Sequence, residues 1–280
     1  MKTLVSIKKD MEVNNGLALL IETLKTIAIS QYYAAQKKLG TFEKFYNSLR
    51  FLVEDINIEE VNHHFIKPRV QAQAIIVITS DAGFLGGLNM RVVNTALHEV
   101  KEMPTTIITV GSRGVMYIQG TGLPAVSFPG IKDDEKYSQA AQLRDYIYQK
   151  VSAGEFGTVK VVYPRSMSLG VQSIAMETFL PFKLANLKQE EPREYVDSIL
   201  ESSLSDIIEY LVYLWMGMKF YDIFGLSRLA EFSARYFHLE ESGEKLKEED
   251  KKVKLQYFRI RHELADRSIR ELVAGRFARG

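Results

Sequence analysis

The chain has 280 residues, 46% of them hydrophobic, and Lys+Arg 36 against Asp+Glu 35 leaves a formal net charge of +1. A chain of this length buries a substantial core, and its balanced charge lacks the overall basic excess that announces nucleic acid. The absence of cysteine removes disulfides, thiolate metal sites and cysteine nucleophiles together.

The opening MKTLVSIKKDMEV holds no apolar run long enough for a signal peptide, and the most apolar stretch, IIEYLVYLWMGMKFY, is interrupted by Glu209 and Lys219, so no membrane span is expected. All seven prolines lie from Pro68 to Pro192, which leaves both ends free to form long helices. Steps of three and four from Leu4 give Ile7, Met11, Asn14, Ala18, Ile21, Lys25, Ala28, Tyr32, Ala35, Leu39, Phe42, Tyr46, Leu49, Val53 and Ile56, with Asn14 and Lys25 as polar interruptions. That heptad seam predicts a coiled-coil helix over residues 1–57. Asn14-Asn15-Gly16 is its expected weak point, because glycine inside a helix costs roughly 1 kcal/mol relative to alanine.

Residues 68–185 change period. AQAIIVITS, TTIITVG, TVKVVYP and QSIAMETFLPF read as strands, separated by the helical patterns NMRVVNTALHEVKEM and KYSQAAQLRDYIYQKVSAG. Such alternation predicts a small α/β domain of Rossmann-like character with a mostly parallel sheet. Residues 193–280 return to helix, through a charged block, EESGEKLKEEDKKVK, that reads as a solvated face. The aromatic run YLVYLWMGMKFYDIF is expected to pack against neighbours. The two terminal helices have an obvious way to bury their seams, by pairing antiparallel with each other.

The stretch ITSDAGFLGGLN, running from Ile78 to Asn89, sits between strand and helix, where nucleotide loops occur. Its Gly83, Gly86 and Gly87 fit neither G-x-G-x-x-G nor the P-loop pattern, and Leu88-Asn89-Met90 supplies no Lys or Ser/Thr to reach a phosphate. A structural turn is therefore expected, with Asp81 as a turn or N-cap residue. The five histidines form no metal-ligand spacing, and Ser80-Asp81 has no histidine partner that sequence can assign. No catalytic residue, metal or cofactor is expected.

Lys25, in an otherwise apolar seam, either carries its ammonium out to water or meets an acidic partner. From Lys251 onward there are nine basic residues (Lys251, Lys252, Lys254, Arg259, Arg261, Arg267, Arg270, Arg276 and Arg279) against Glu263, Asp266 and Glu271, nine minus three giving +6. A basic tip on a neutral chain is a docking surface for an acidic ring or groove.

Several of these stretches carry a resemblance to one family. ITSDAGFLGGLN resembles the S-D-R-G-L-C-G-G-L-N signature of the γ subunit of F-type ATP synthases, the central rotor stalk. IITVGSRGVMYIQGTG is similar to its I-G-x-K-G-x-x-F/Y-x-x-x-G stretch, and GEFGTVKVVYPRSMSLGVQSIAMETFLPF to its G-E-F-D-x-V-x-L-V-Y segment. TLKTIAISQYYAAQ resembles A-M-K-M-V-A-A-S-K, with Lys25 at the lysine. RIRHELADRSIRELVAG resembles the terminal N-K-x-R-Q-A-x-I-T-x-E-I-x-E-I-V-G-G at Arg261, Ile269, Glu271, Val273 and Gly275.

Ala82 replaces the signature arginine, Phe84-Leu85 its leucine and cysteine, and GLALLIETL is more apolar than the family helix, so the resemblance is to a diverged γ. It implies a non-catalytic stalk turning inside an α3β3 ring, with the α/β domain as a foot on the ε subunit and the membrane c-ring. The chain is then peripheral to the membrane through its complex, on the cytoplasmic face of a bacterial plasma membrane. Lys25, Arg261, Arg267 and Arg270 are the expected contacts with acidic elements of the ring. A non-motor adaptor with the same architecture is one alternative, to be told apart by its partners. A nucleotide-binding α/β enzyme is the other, and direct ATP titration would reveal it.

Overall fold

The computed structural model describes residues 3–40, 45–49, 61–100, 103–183 and 203–277. In chain order these form α1 (Leu4–Lys38), β1 (Gln73–Ile78), α2 (Leu88–His98), β2 (Thr105–Val110), α3 (Ser112–Ile118), β3 (Ala125–Phe128), α4 (Lys136–Ser152), β4 (Thr158–Ser168), β5 (Val171–Leu180) and α5 (Leu204–Phe277). Two compact units result: Gln31–Arg235, and Met1–Ser30 together with Tyr236–Gly280.

The larger unit is built on a five-stranded sheet of order β3-β2-β1-β4-β5. β1 pairs in parallel with both β2 and β4, β2 with β3, and only the β4–β5 hairpin is antiparallel. β1 has a neighbour on each edge and a cover on each face, which is why all six of its residues are buried and why it reads as a continuous apolar run. Its side chains alternate between two cores. Ala74, Ile76 and Ile78 join the cluster containing Trp215, while Ile75 and Val77 join Val92, Val93 and Ala96 of α2.

The first part of α5 lies in that first core. Ile208, Leu211, Val212, Trp215, Met216, Phe220, Ile223 and Phe224 are buried at helical spacing, and Trp215 packs on Phe179 and Phe182 with ring centroids 5.0 and 5.1 Å away. Each such side chain removed from water contributes about 1.5–3 kcal/mol. Most of the aromatic run is thus core, with Tyr210 exposed, and it packs on the sheet and on α4.

Three expectations change here. The helix predicted over 1–57 ends at Lys38: the Leu39 amide donates to Ala35 and Gln36 carbonyls, two lysines complete the last turn, and Gly40 follows. Tyr46 and Leu49, read as seam positions, instead belong to the larger unit's core; Phe42, Val53 and Ile56 lie outside the described residues. Gly16 does not interrupt α1, since its site faces open space and the helix runs through it.

In the smaller unit, α1 and α5 run antiparallel: Ile21 lies against Gly243, and Lys25 bonds Glu240 further along α1 but earlier along α5. Ile7, Ala28 and Leu239 are buried there. The larger unit holds its own piece of helix pair, with Tyr32, Ala35 and Leu39 packed on Leu229 and Phe232.

Candidate functional site

The glycine turn is held by hydrogen bonds among its own named residues. The Ser80 amide donates to Asn89 Oδ1 at 3.2 Å, Asn89 Nδ2 donates to Ser80 Oγ at 2.9 Å, and Ser80 Oγ donates to the Ala82 carbonyl at 2.9 Å. Asn89 lies in the first turn of α2, so the motif ties the end of β1 to the helix it feeds. Phe84, Gly86 and Gly87 all take positive φ; glycine accepts that region freely, whereas Phe84 occupies it at a strain cost of order 1–3 kcal/mol. Gly83 faces open space apart from Arg113.

Asp81 does what a cap does, but across the sheet. Its carboxylate accepts the Ser112 amide at 2.7 Å, the first residue of α3, and the Gly130 amide at 3.2 Å. The loops leaving β1, β2 and β3 therefore converge on one carboxylate. A β-carbon at Gly130 would overlap that carboxylate, which accounts for glycine there. The Ser80, Asp81 and Asn89 side chains are all occupied in joining chain segments.

Lys25 meets acids of its own chain. Its ammonium lies 2.9 Å from Glu22 and 3.0 Å from Glu240, and the hydrogen bonds to Glu22 and then Glu240 hold its pKa well above the ordinary lysine range. Of the two readings open for Lys25, the acidic partner holds, and it is Glu240 on the facing helix. Arg261, Arg267 and Arg270 do not join it. Arg261 lies roughly 30 Å further along α5 than Glu240, at 1.5 Å per residue.

All of the residues from Arg261 to Ala274 are exposed. The antiparallel register runs out at Leu4, the start of α1, while α5 continues to Phe277. On this overhang Arg267 pairs with Glu271 at 3.2 Å, Arg270 Nε donates to the Asp266 carbonyl, and Arg261 has no ion pair or hydrogen bond among the described residues. Ile260, Leu264, Arg267, Glu271 and Ala274 line a shallow groove at seam spacing. The basic tip of the sequence is therefore also an apolar one, with Leu255, Phe258, Leu264, Ile269, Leu272 and Val273 exposed.

Two side-chain networks were not legible beforehand. Ser233, fully buried, accepts from the Gly170 amide and Gln172 Nε2 and donates to the Ser168 carbonyl, so it clamps the β4–β5 turn onto α5. Arg228 joins Asp133 to Glu231, which Arg235 also bonds. No group of His, Cys, Asp and Glu suited to a metal ion occurs among the described residues, and none of the described helices is long and apolar enough to cross a membrane.

Comparison with known proteins gives this geometry a family. A protein-family model described as ATP synthase matches residues 3–278. The chain is 22% identical to the ATP synthase gamma chain of Clostridium pasteurianum over 277 residues, 97% of each chain. It is 24% identical to that of Cytophaga hutchinsonii over 291 aligned positions, 98% of each. Its fold is similar to a chain of the Euglena gracilis mitochondrial ATP synthase, solved by cryo-EM as OSCP/F1/c-ring in rotational state 3. The TM-score is 0.68 at 16% identity, covering 98% of this chain and 94% of that one. A chain of the Tetrahymena thermophila mitochondrial ATP synthase central stalk and c-ring gives 0.59 at 17% identity, over 80% of this chain and 99% of that one. The fold shared with these structures is a mostly parallel α/β sheet with a long helix at each end of the chain. The chain belongs to the ATP synthase γ family.

Proposed function

We propose that this chain is the central shaft of an F-type ATP synthase, carrying torque between a membrane c-ring and a catalytic α3β3 ring. The observation that carries the reading is the overhang of α5, a long helix exposed on all sides and bearing apolar and basic side chains together. An asymmetric helix turning inside a ring presents different side chains to successive ring subunits, which drives their sites through different affinities in turn. The larger unit is assigned to the ε subunit and the c-ring, in keeping with solved relatives described as central stalk and c-ring or as F1 with c-ring. The chain is peripheral to the membrane through that complex, and we place it on the cytoplasmic face of a bacterial plasma membrane.

Arg261, Arg267 and Arg270 are assigned to acidic elements of the ring, with Arg261 foremost because none of the described residues engages it. Lys25 is the fourth cation, sharing its charge between Glu240 and the ring. Charge reversal at these positions is expected to impair coupling of ATPase activity to ion transport; assembly and coupling unchanged in all four variants would overturn the assignment.

The deciding experiment is to tag the chain in its native host, solubilise membranes gently and identify what copurifies. Recovery of α, β, ε and c subunits with ATPase activity is the expected result. Recovery of other proteins in their place would make the chain a non-motor adaptor with a γ fold.

A further inference from the structure

Inside the larger unit, the last turns of α1, the loop before α4 and the middle of α5 enclose a pocket of about 100 Å³ whose lining includes Lys38, Lys136, Arg228 and Asp133. Three cations face one carboxylate across this small space. Arg228 is already matched: its Nε and Nη2 lie 3.2 Å from Asp133, and its Nη1 lies 2.7 Å from Glu231. The two lysines are not matched. Neither Lys38 nor Lys136 has a carboxylate partner among the described residues, and the Lys136 ammonium stands 4.2 Å over the Tyr221 ring. An oxyanion taken up beside them would be attracted to both.

The backbone beside them breaks a local rule. Gly225 sits in the interior of α5, where glycine costs about 1 kcal/mol relative to alanine. A β-carbon there would stand 3.1 Å from Leu39 and 3.5 Å from the Lys136 ammonium. Glycine therefore lets α1 and α5 approach closely at Leu39, and leaves the Lys136 ammonium resting on bare helix backbone at one wall of the pocket.

We propose that this pocket binds a small tetrahedral oxyanion of the size and charge of inorganic phosphate, between Lys38 and Lys136. At about 100 Å³ the pocket suits a small ion better than an organic ligand, which needs about 300 Å³ or more. The inference goes beyond the shaft reading and does not depend on it, since it concerns this chain's own charges.

The test uses the full chain at low ionic strength and inorganic phosphate as the probe, followed by titration calorimetry. Saturable binding is expected, with sulfate competing and adenosine not. Lys38→Gln and Lys136→Gln should each weaken binding about tenfold, the effect of losing one charge-assisted contact. Ala34→Glu, at an exposed lining position, supplies a competing carboxylate and should abolish binding, while Ala34→Gln should retain it. Absence of saturable phosphate binding by the unaltered chain overturns the proposal. So does binding that survives in the Lys38→Gln/Lys136→Gln double variant, given an unchanged circular dichroism spectrum.

Discussion

Asp81 shows how a residue can be correctly typed from sequence and still have its main work hidden. A strand-end aspartate ahead of glycines reads as a turn or N-cap residue, although the N-cap of the helix that follows is Gly87. The donors to Asp81 are Ser112 and Gly130, which no local window contains. Replacing it with alanine should cost about 1 kcal/mol, the usual loss for a capping side chain, and Gly130→Ala should cost more because the new methyl meets the same carboxylate. Denaturant unfolding followed by the fluorescence of Trp215, the one tryptophan and fully buried in the same unit, would measure both. His63 makes a pH prediction. Burial holds its pKa below the ordinary 6.5, with Arg69 adding to the depression and Glu209 opposing it. Its Nδ1 accepts the Phe65 amide at 3.3 Å, and His64, also depressed, stacks beside it. A depressed folded value means that the contribution is complete above 6.5 and is lost as pH falls through the folded value. His63→Asn keeps an acceptor and cannot be protonated, so its stability should decline less than the parent's between pH 6.5 and 5; equal declines would show that His63 is not the titrating group.

Among the elements, the seam of α1 was the most legible part, because a 3.5-residue period declares a buried stripe wherever it occurs. It does not declare the partner. Tyr46 and Leu49 kept the period after α1 had ended and went to the sheet core. The two elements that went unread, β3 and α3, are short: β3 is four residues between Pro124 and Pro129, and α3 seven, too few for periodicity to emerge. The central strands β1, β2 and β4 were plain because burial on both faces leaves nearly unbroken β-branched runs. The Lys25 to Glu240 contact was half legible, a cation in a seam without its acid. A double-mutant cycle with Lys25→Gln and Glu240→Gln should give a coupling of about 0.5–1 kcal/mol, the upper range for pairs that remain partly exposed, falling as salt is raised. A coupling of zero would mean that Glu22 alone holds the ammonium.

For the whole molecule, the order of helix, α/β domain and helix was readable from where the prolines fall. The division into compact units was not, because one continuous helix, α5, serves both of them, and a change of unit leaves no mark on an unbroken helical pattern. The exposed end of α5 also bears on how the chain fares before it has partners. Leu255 and Leu272 are each more than 70% exposed, on a helix whose apolar side chains recur turn after turn, and a soluble monomer seldom shows water so much contiguous apolar surface. An excess copy of the chain is therefore expected to self-associate as its concentration rises, and to be held by chaperones or cleared by proteases when made without its complex. Pulse-chase labelling in cells lacking the ring subunits would measure that clearance, and a lifetime equal to that of the assembled chain would count against it. The surface that suits the helix to a ring would also keep its copy number matched to the rings available.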